Sequence, residues 1–137
     1  MTRSEKAVEL KANGYNCAQA VACAFADKTD FDEETLCQLA TGFGAGGGNM
    51  QGTCGALSGA YLLTGIILGN AYKGDPMAKG KIMAANREIA KQFYEKNSGI
   101  ICKDLKGLES GKVLRSCEGC VEDAASILER YLEMIGL

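Results

Sequence analysis

Seven cysteines and no histidine in 137 residues fix the chemistry open to this chain. Without imidazole there can be no Cys–His nucleophile pair, no mixed Cys/His zinc site, no histidine-ligated haem and no CxxCH attachment. Sulfur, carboxylate, amine and backbone groups remain. Three cysteines each follow a residue suited to capping a helix: Asn16-Cys17, Thr53-Cys54 and Ser116-Cys117. The pattern predicts a thiol at the first helical position in all three. There, free backbone N–H groups and the positive end of the helix dipole favour thiolate and lower the thiol pKa from its usual ~8.5.

Cys117 and Cys120 form a CEGC spacing, which on a helix puts both sulfurs on one face within reach of a disulfide. Such a pair is either a dithiol couple or half of a four-cysteine metal site. A second CxxC is absent, so a zinc ribbon has no support. Cys23 and Cys37 sit among alanine and leucine at helical spacing and read as core packing.

The glycine run GFGAGGGNMQG at 42–52 leads up to Cys54. Gly42, Gly44 and Gly47 match GxGxxG by spacing, but no strand precedes them, so a dinucleotide site is set aside. A steric reading fits better: glycines let backbone and neighbouring helices approach Cys54, and Gly55 and Gly59 continue that theme beyond it.

The elements that would position these thiols are helices. Apolar residues recur at three- and four-residue spacing, β-branched clusters are missing, and Pro76 is the sole proline. The pattern predicts helices over Ser4–Asn13, stopped by Gly14; over Asn16 to about Asp27, with an Asn16/Gln19 capping box; and from Asp30 as cap to about Ala40. After the glycine loop, Thr53 caps a helix from Cys54 to about Leu68. Asp75-Pro76 starts another, which reaches Asn97 with Ile82, Ala85, Ile89 and Phe93 on one face. Short helical turns surround Cys102. Ser116 caps the last helix, striped by Val121, Ala124, Leu128, Leu132 and Ile135.

Length and a 47% hydrophobic content fit one domain, 1–137, with a real core. The net charge of −2 and the dispersed lysines and arginines give no footprint for nucleic acid or an anionic membrane. The opening MTRSEKAVELKANGY lacks a signal-peptide core, so a cytoplasmic location is expected. No residue from Thr35 to Tyr72 is charged. Within that stretch Gly55–Ala71 is slightly short for a membrane span and carries Ser58, Thr64, Asn70 and four glycines without basic flanks, so it reads as a buried central helix. So much uncharged chain also makes a homodimer an expectation. The fold class expected is therefore all-α, a compact bundle of about five to seven helices.

YNCAQAV at 15–21, CGALSG at 54–59 after the glycine loop, CKDLKG at 102–107 and CEGCVEDAA at 117–125 resemble, in order and spacing, the C_GCAxxG_C_C family of redox-active proteins. The family's four cysteines fall on Cys17, Cys54, Cys102 and Cys117, and Cys120 lies beyond them. Some relatives are labelled split-Soret cytochromes, a label this histidine-free chain departs from. The resemblance implies thiol redox chemistry, and the reading of the residues agrees: Cys17, Cys54, Cys102, Cys117 and Cys120 are the candidate site. Cys54 would be the attacking thiolate, Cys17 or Cys117 would resolve the mixed disulfide, no cofactor is required, and the partner is an unidentified redox donor or acceptor. Two alternatives stay open: an all-thiolate site for zinc, iron or an iron–sulfur cluster, and a non-catalytic helical protein that binds a partner.

Overall fold

The computed structural model describes all residues, 1–137, and is all-α. Its helices are α1 (Arg3–Ala12), α2 (Cys17–Cys23), α3 (Glu33–Thr41), α4 (Gly44–Gly47), α5 (Gly55–Ala71), α6 (Ala78–Asn97), α7 (Cys102–Lys106) and α8 (Cys117–Met134), with a 3-10 turn at Ala26–Lys28. Of the eight helical elements α4 is only a single turn with left-handed backbone, φ 50° at Ala45 and 59° at Gly46, so the glycine run is the irregular, backbone-dominated segment expected and seven regular helices remain. There are no strands, and one isolated antiparallel bridge joins Thr53 to Ile101.

α5 is the axis of the bundle. Ala56, Leu57, Ala60, Leu63 and Ile67 on it are buried in one cluster with Ala18 and Val21 of α2, Ile89 and Phe93 of α6, and Val121, Ala124 and Leu128 of α8. Within the long uncharged stretch α5 supplies much of the protein's own core, as expected of a buried central helix. No helix is long and apolar enough to cross a membrane. Two glycines let the neighbours of α5 come close: a Cβ at Gly59 would lie 2.7 Å from the Ala18 carbonyl oxygen of α2, and one at Gly55 would lie 3.0 Å from the Phe43 oxygen in the glycine run.

Most expected boundaries hold within a residue or two, and the departures have local causes. α2 ends at Cys23 and does not continue to Asp27, because the Arg3 guanidinium takes the Ala24 carbonyl (2.9 Å) and pairs with Asp27. Its guanidinium also lies over the buried Phe25 ring at 5.1 Å. Asp32, not Asp30, caps α3: its carboxylate accepts from the Thr35 N–H at 2.7 Å, and Glu33 and Glu34 then fill the acidic first turn. Asp30 instead accepts from Asn70. Asp75 accepts from the Met77 N–H as a cap would, but regular helix begins only at Ala78.

The correction that matters most concerns Thr53. It does not cap α5. Thr53 is held in the bridge to Ile101, and Cys54 itself is the N-cap residue, with φ −46° and ψ 130°.

Candidate thiol site

Each candidate cysteine is placed by a distinct local device. Cys17 opens α2, behind the capping box in which Asn16 accepts from the Gln19 N–H and the Gln19 side chain accepts from the Asn16 N–H, both at 2.9 Å. Asn16 also donates to the Thr41 carbonyl at the end of α3 (3.1 Å), which ties the entrance of α2 to the start of the glycine run. Cys117 opens α8 in the same way, since the Ser116 hydroxyl accepts from the Gly119 N–H at 3.0 Å. Cys120 is one turn further along and buried.

Cys54 and Cys102 are joined through backbone. The Cys54 N–H donates to the Ile100 carbonyl (2.7 Å), and the Cys102 N–H donates to the Gly52 carbonyl (3.0 Å). The glycine run folds over this pairing as a left-handed turn, with positive φ at Ala45, Gly46, Gly47 and Gly48. Gly46 is the critical member. It lies so close to Cys102 that a Cβ would sit 2.6 Å from the Cys102 Cβ, and its carbonyl accepts from the Gly52 N–H at 2.9 Å.

The result is one group of five free thiols from α2, α7, α8 and the start of α5. Its members act electrostatically on one another: Cys17 on Cys54 and Cys117, Cys102 on Cys54 and Cys117, and Cys120 on Cys54, Cys117 and Cys17. Two pairings within it act most directly on thiol acidity, Cys54 with Cys120 and Cys17 with Cys117. Cys54, Cys102 and Cys120 are buried, whereas Cys17 and Cys117 are half-buried and form the outer edge. No three Cys, Asp or Glu side chains gather as a metal-ligand group.

Acidity differs sharply across the group. Cys54 is lowered to about 7: the neighbouring Cys120 thiol has the largest effect and, with the N–H groups of Ala56 and Leu57 and the nearby Lys106 ammonium, outweighs burial. The two amides add helix-terminus stabilisation of thiolate, delivered to the N-cap position. Cys120 is driven up by the Cys54 sulfur and by burial. Cys17 moves opposite to the sequence expectation. Burial, followed by the Cys117 and Cys54 sulfurs, pushes it up to about 12 despite Lys11. Burial also raises Cys102 in spite of Lys106.

Two features were hard to see in sequence. Cys120 is the thiol against Cys54, where Cys17 or Cys117 was expected; the CEGC spacing was the available signal. Lys106, the local cation, lies four residues after Cys102 and so on the same face of one helical turn, a signal present in CKDLKG. Cys23 and Cys37 stand apart from the five and meet each other across α2 and α3.

An all-α domain that converges cysteines from separate helices around a glycine turn defines a class of compact thiol protein. The family model described as "Putative redox-active protein (C_GCAxxG_C_C)" matches residues 15–131, and the chain belongs to that family. No curated protein and no solved structure matches it.

Proposed function

We propose that this is a thiol–disulfide redox protein working in a reducing compartment such as the cytoplasm, with an outer thiol pair, Cys17–Cys117, and an inner pair, Cys54–Cys120. The observation that carries the reading is Cys54 buried as the N-cap residue of α5, its thiol lowered to about 7 in one group with the buried Cys120 and the half-buried Cys17. A nucleophile near pKa 7 attacking a disulfide whose leaving thiol is close by is what exchange requires.

The half-buried outer pair meets an external disulfide, RSSR. One of its thiolates attacks, RS⁻ leaves, and the second closes the Cys17–Cys117 disulfide as the other RS⁻ departs and is protonated. The Cys54 thiolate then attacks that disulfide, displacing one outer thiolate. Cys120 gives up its proton, attacks the Cys54 sulfur and releases the second. Two electrons and the Cys120 proton have moved outward, the second outer thiolate takes its proton from solvent, and the inner pair holds the disulfide. Cys102 and Lys106 shape the field around Cys54 throughout. Self-association as a homodimer belongs to the same proposal, because Leu39 and Phe43 remain exposed on the uncharged stretch.

Cys54→Ser tests the proposal. Serine is a strong N-cap residue, so the variant should fold in reducing buffer with stability within about 1 kcal/mol of wild type. It should lose the inner two-electron oxidation while Cys17 and Cys117 still oxidise. A wild type that carries metal, with a Cys54→Ser variant that releases it and unfolds under reducing conditions, would establish the metal-site alternative instead, since metal binding would then be folding free energy.

A further inference from the structure

The structure brings together two cysteines that the sequence assigns to packing and the five-thiol site does not use. Cys23 is the last residue of α2 and is buried at 4% exposure; Cys37 lies in the middle of α3 and is half-buried. The Cys23 sulfur lies 3.7 Å from the Glu33 carbonyl oxygen. In an α-helix that oxygen is the one facing the N–H of the residue four positions on, here Cys37, so Cys23 lies against the turn that carries Cys37. The Cys23 thiol donates to that oxygen, and its sulfur lies within electrostatic reach of Cys37. Cys37 opens on a surface cleft of about 540 Å³ lined also by Tyr15, Gln19, Glu34, Gln38 and Thr41.

We infer that Cys23 and Cys37 are a second dithiol, separate from the five-thiol site, which closes to a disulfide clamping α3 onto α2 when a small uncharged disulfide enters the cleft beside Cys37. The charged residues lining that cleft are Glu33 and Glu34, so an anionic disulfide is disfavoured there. Cys37 is the accessible sulfur of the two, so its thiolate attacks RSSR and RS⁻ leaves. Cys23 then loses its proton and attacks the Cys37 sulfur, and the second RS⁻ departs. The two thiols are oxidised, RSSR is reduced to two RSH, and both protons end on the products. Burial first, then the Cys37 and Glu33 charges, hold Cys23 up at about 12. Closure is therefore slower than exchange at Cys54 and quickens with pH.

The inference does not rest on the function proposed above, and the experiment keeps the two apart. In full-length Cys17→Ser/Cys54→Ser protein, cleavage after Lys and Arg leaves one cysteine in the peptide 12–28, Cys23, and one in the peptide 29–73, Cys37. The reduced variant is exposed anaerobically to 2-hydroxyethyl disulfide, trapped by alkylation and digested. A 12–28/29–73 linked pair that forms in most of the protein and disappears on reduction is expected. Native wild type mapped by fragmentation should give the same link, which guards against an artefact of the double substitution. Recovery of both cysteines alkylated, or of Cys37 held only as a mixed disulfide with Cys23 free, in wild type and variant alike, would overturn the inference. Oxidation at Cys54 and Cys120 would be unaffected by that result.

Discussion

At the residue scale the acidity of Cys54 comes from its neighbours, not from exposure, since only 6% of the residue is accessible. The Cys120 thiol, two helix amides and Lys106 act together against burial. A folded value near 7 lies below the ordinary thiol value. The thiolate's stabilisation is therefore fully present above the unfolded pKa and lost as pH falls through about 7. Alkylation followed by mass spectrometry against pH should give Cys54 a midpoint near 7. Cys23, held at about 12, should show a thiolate fraction on the order of 10⁴-fold smaller at pH 8. Midpoints are compared, not absolute rates, because access also limits both sites. Equal midpoints would mean that Cys54 is an ordinary packed thiol.

Much of this was legible in the residues themselves. The capping signals Asn16/Gln19 and Ser116 place Cys17 and Cys117 where they are found. What sequence could not supply was the sign of each pKa shift. A cysteine at the first position of a helix gains from the dipole, but Cys17 is also half-buried beside two other sulfurs, and at that site the loss of water wins. Local pattern carries the first effect; only the tertiary arrangement carries the second.

At the scale of elements, the α2–α5 contact sets the distance between Cys17 and Cys54, and Gly59 sets that contact. Gly59→Ala should gain about 1 kcal/mol of helix propensity. It also drives a methyl to 2.7 Å from the Ala18 carbonyl oxygen, a backbone atom that cannot swing away. Overpacking of this kind costs about 1–3 kcal/mol, so the clash should prevail, and net destabilisation of about 1–2 kcal/mol is expected in urea denaturation. Gly65, on the same helix, faces open space, and a Cβ added there would meet nothing within 4 Å. Gly65→Ala should stabilise by up to about 1 kcal/mol. Equal effects at the two positions would contradict the close-packing account. Helix identity and order were readable from periodicity, whereas the place of Thr53 was not. A threonine before a helix reads as a cap, and only the non-local bridge to Ile101 hands that position to Cys54.

At the scale of the whole molecule, α8 is anchored where it carries Cys117 and Cys120 by Asp123, whose side chain is 1% exposed. Lys96 of α6 donates to it at 2.6 Å and Arg115, just ahead of α8, at 3.0 Å. Burial works against the ionised form, but the hydrogen bonds from Lys96 and Arg115 outweigh it and lower the Asp123 pKa. The contribution to stability is therefore present above the unfolded carboxylate value of ~3.9 and lost as pH falls through the lower folded value. Asp123→Asn should cost about 2 kcal/mol at pH 7. The figure stays modest because Lys96 is 57% exposed and regains water when its partner is removed. The difference between wild type and variant should shrink as the pH is taken below about 4. A constant difference down to pH 2 would show that Asp123 acts through packing alone. The α8 stripe itself was evident in sequence, but Asp123 sits among its buried residues as a charge whose partners come from two other segments, a relation that periodicity does not encode.

The central claim is that Cys54 and Cys120 form the inner dithiol of a redox protein. It is tested most directly by taking reduced full-length protein through an anaerobic thiol–disulfide titration, trapping free thiols by alkylation and mapping the linked peptides. The account predicts a Cys54–Cys120 disulfide that forms and reverses with the ambient potential, beside a Cys17–Cys117 link. Cys54 and Cys120 recovered as free, alkylated thiols at every potential, in protein whose Cys17 and Cys117 do oxidise, would contradict it.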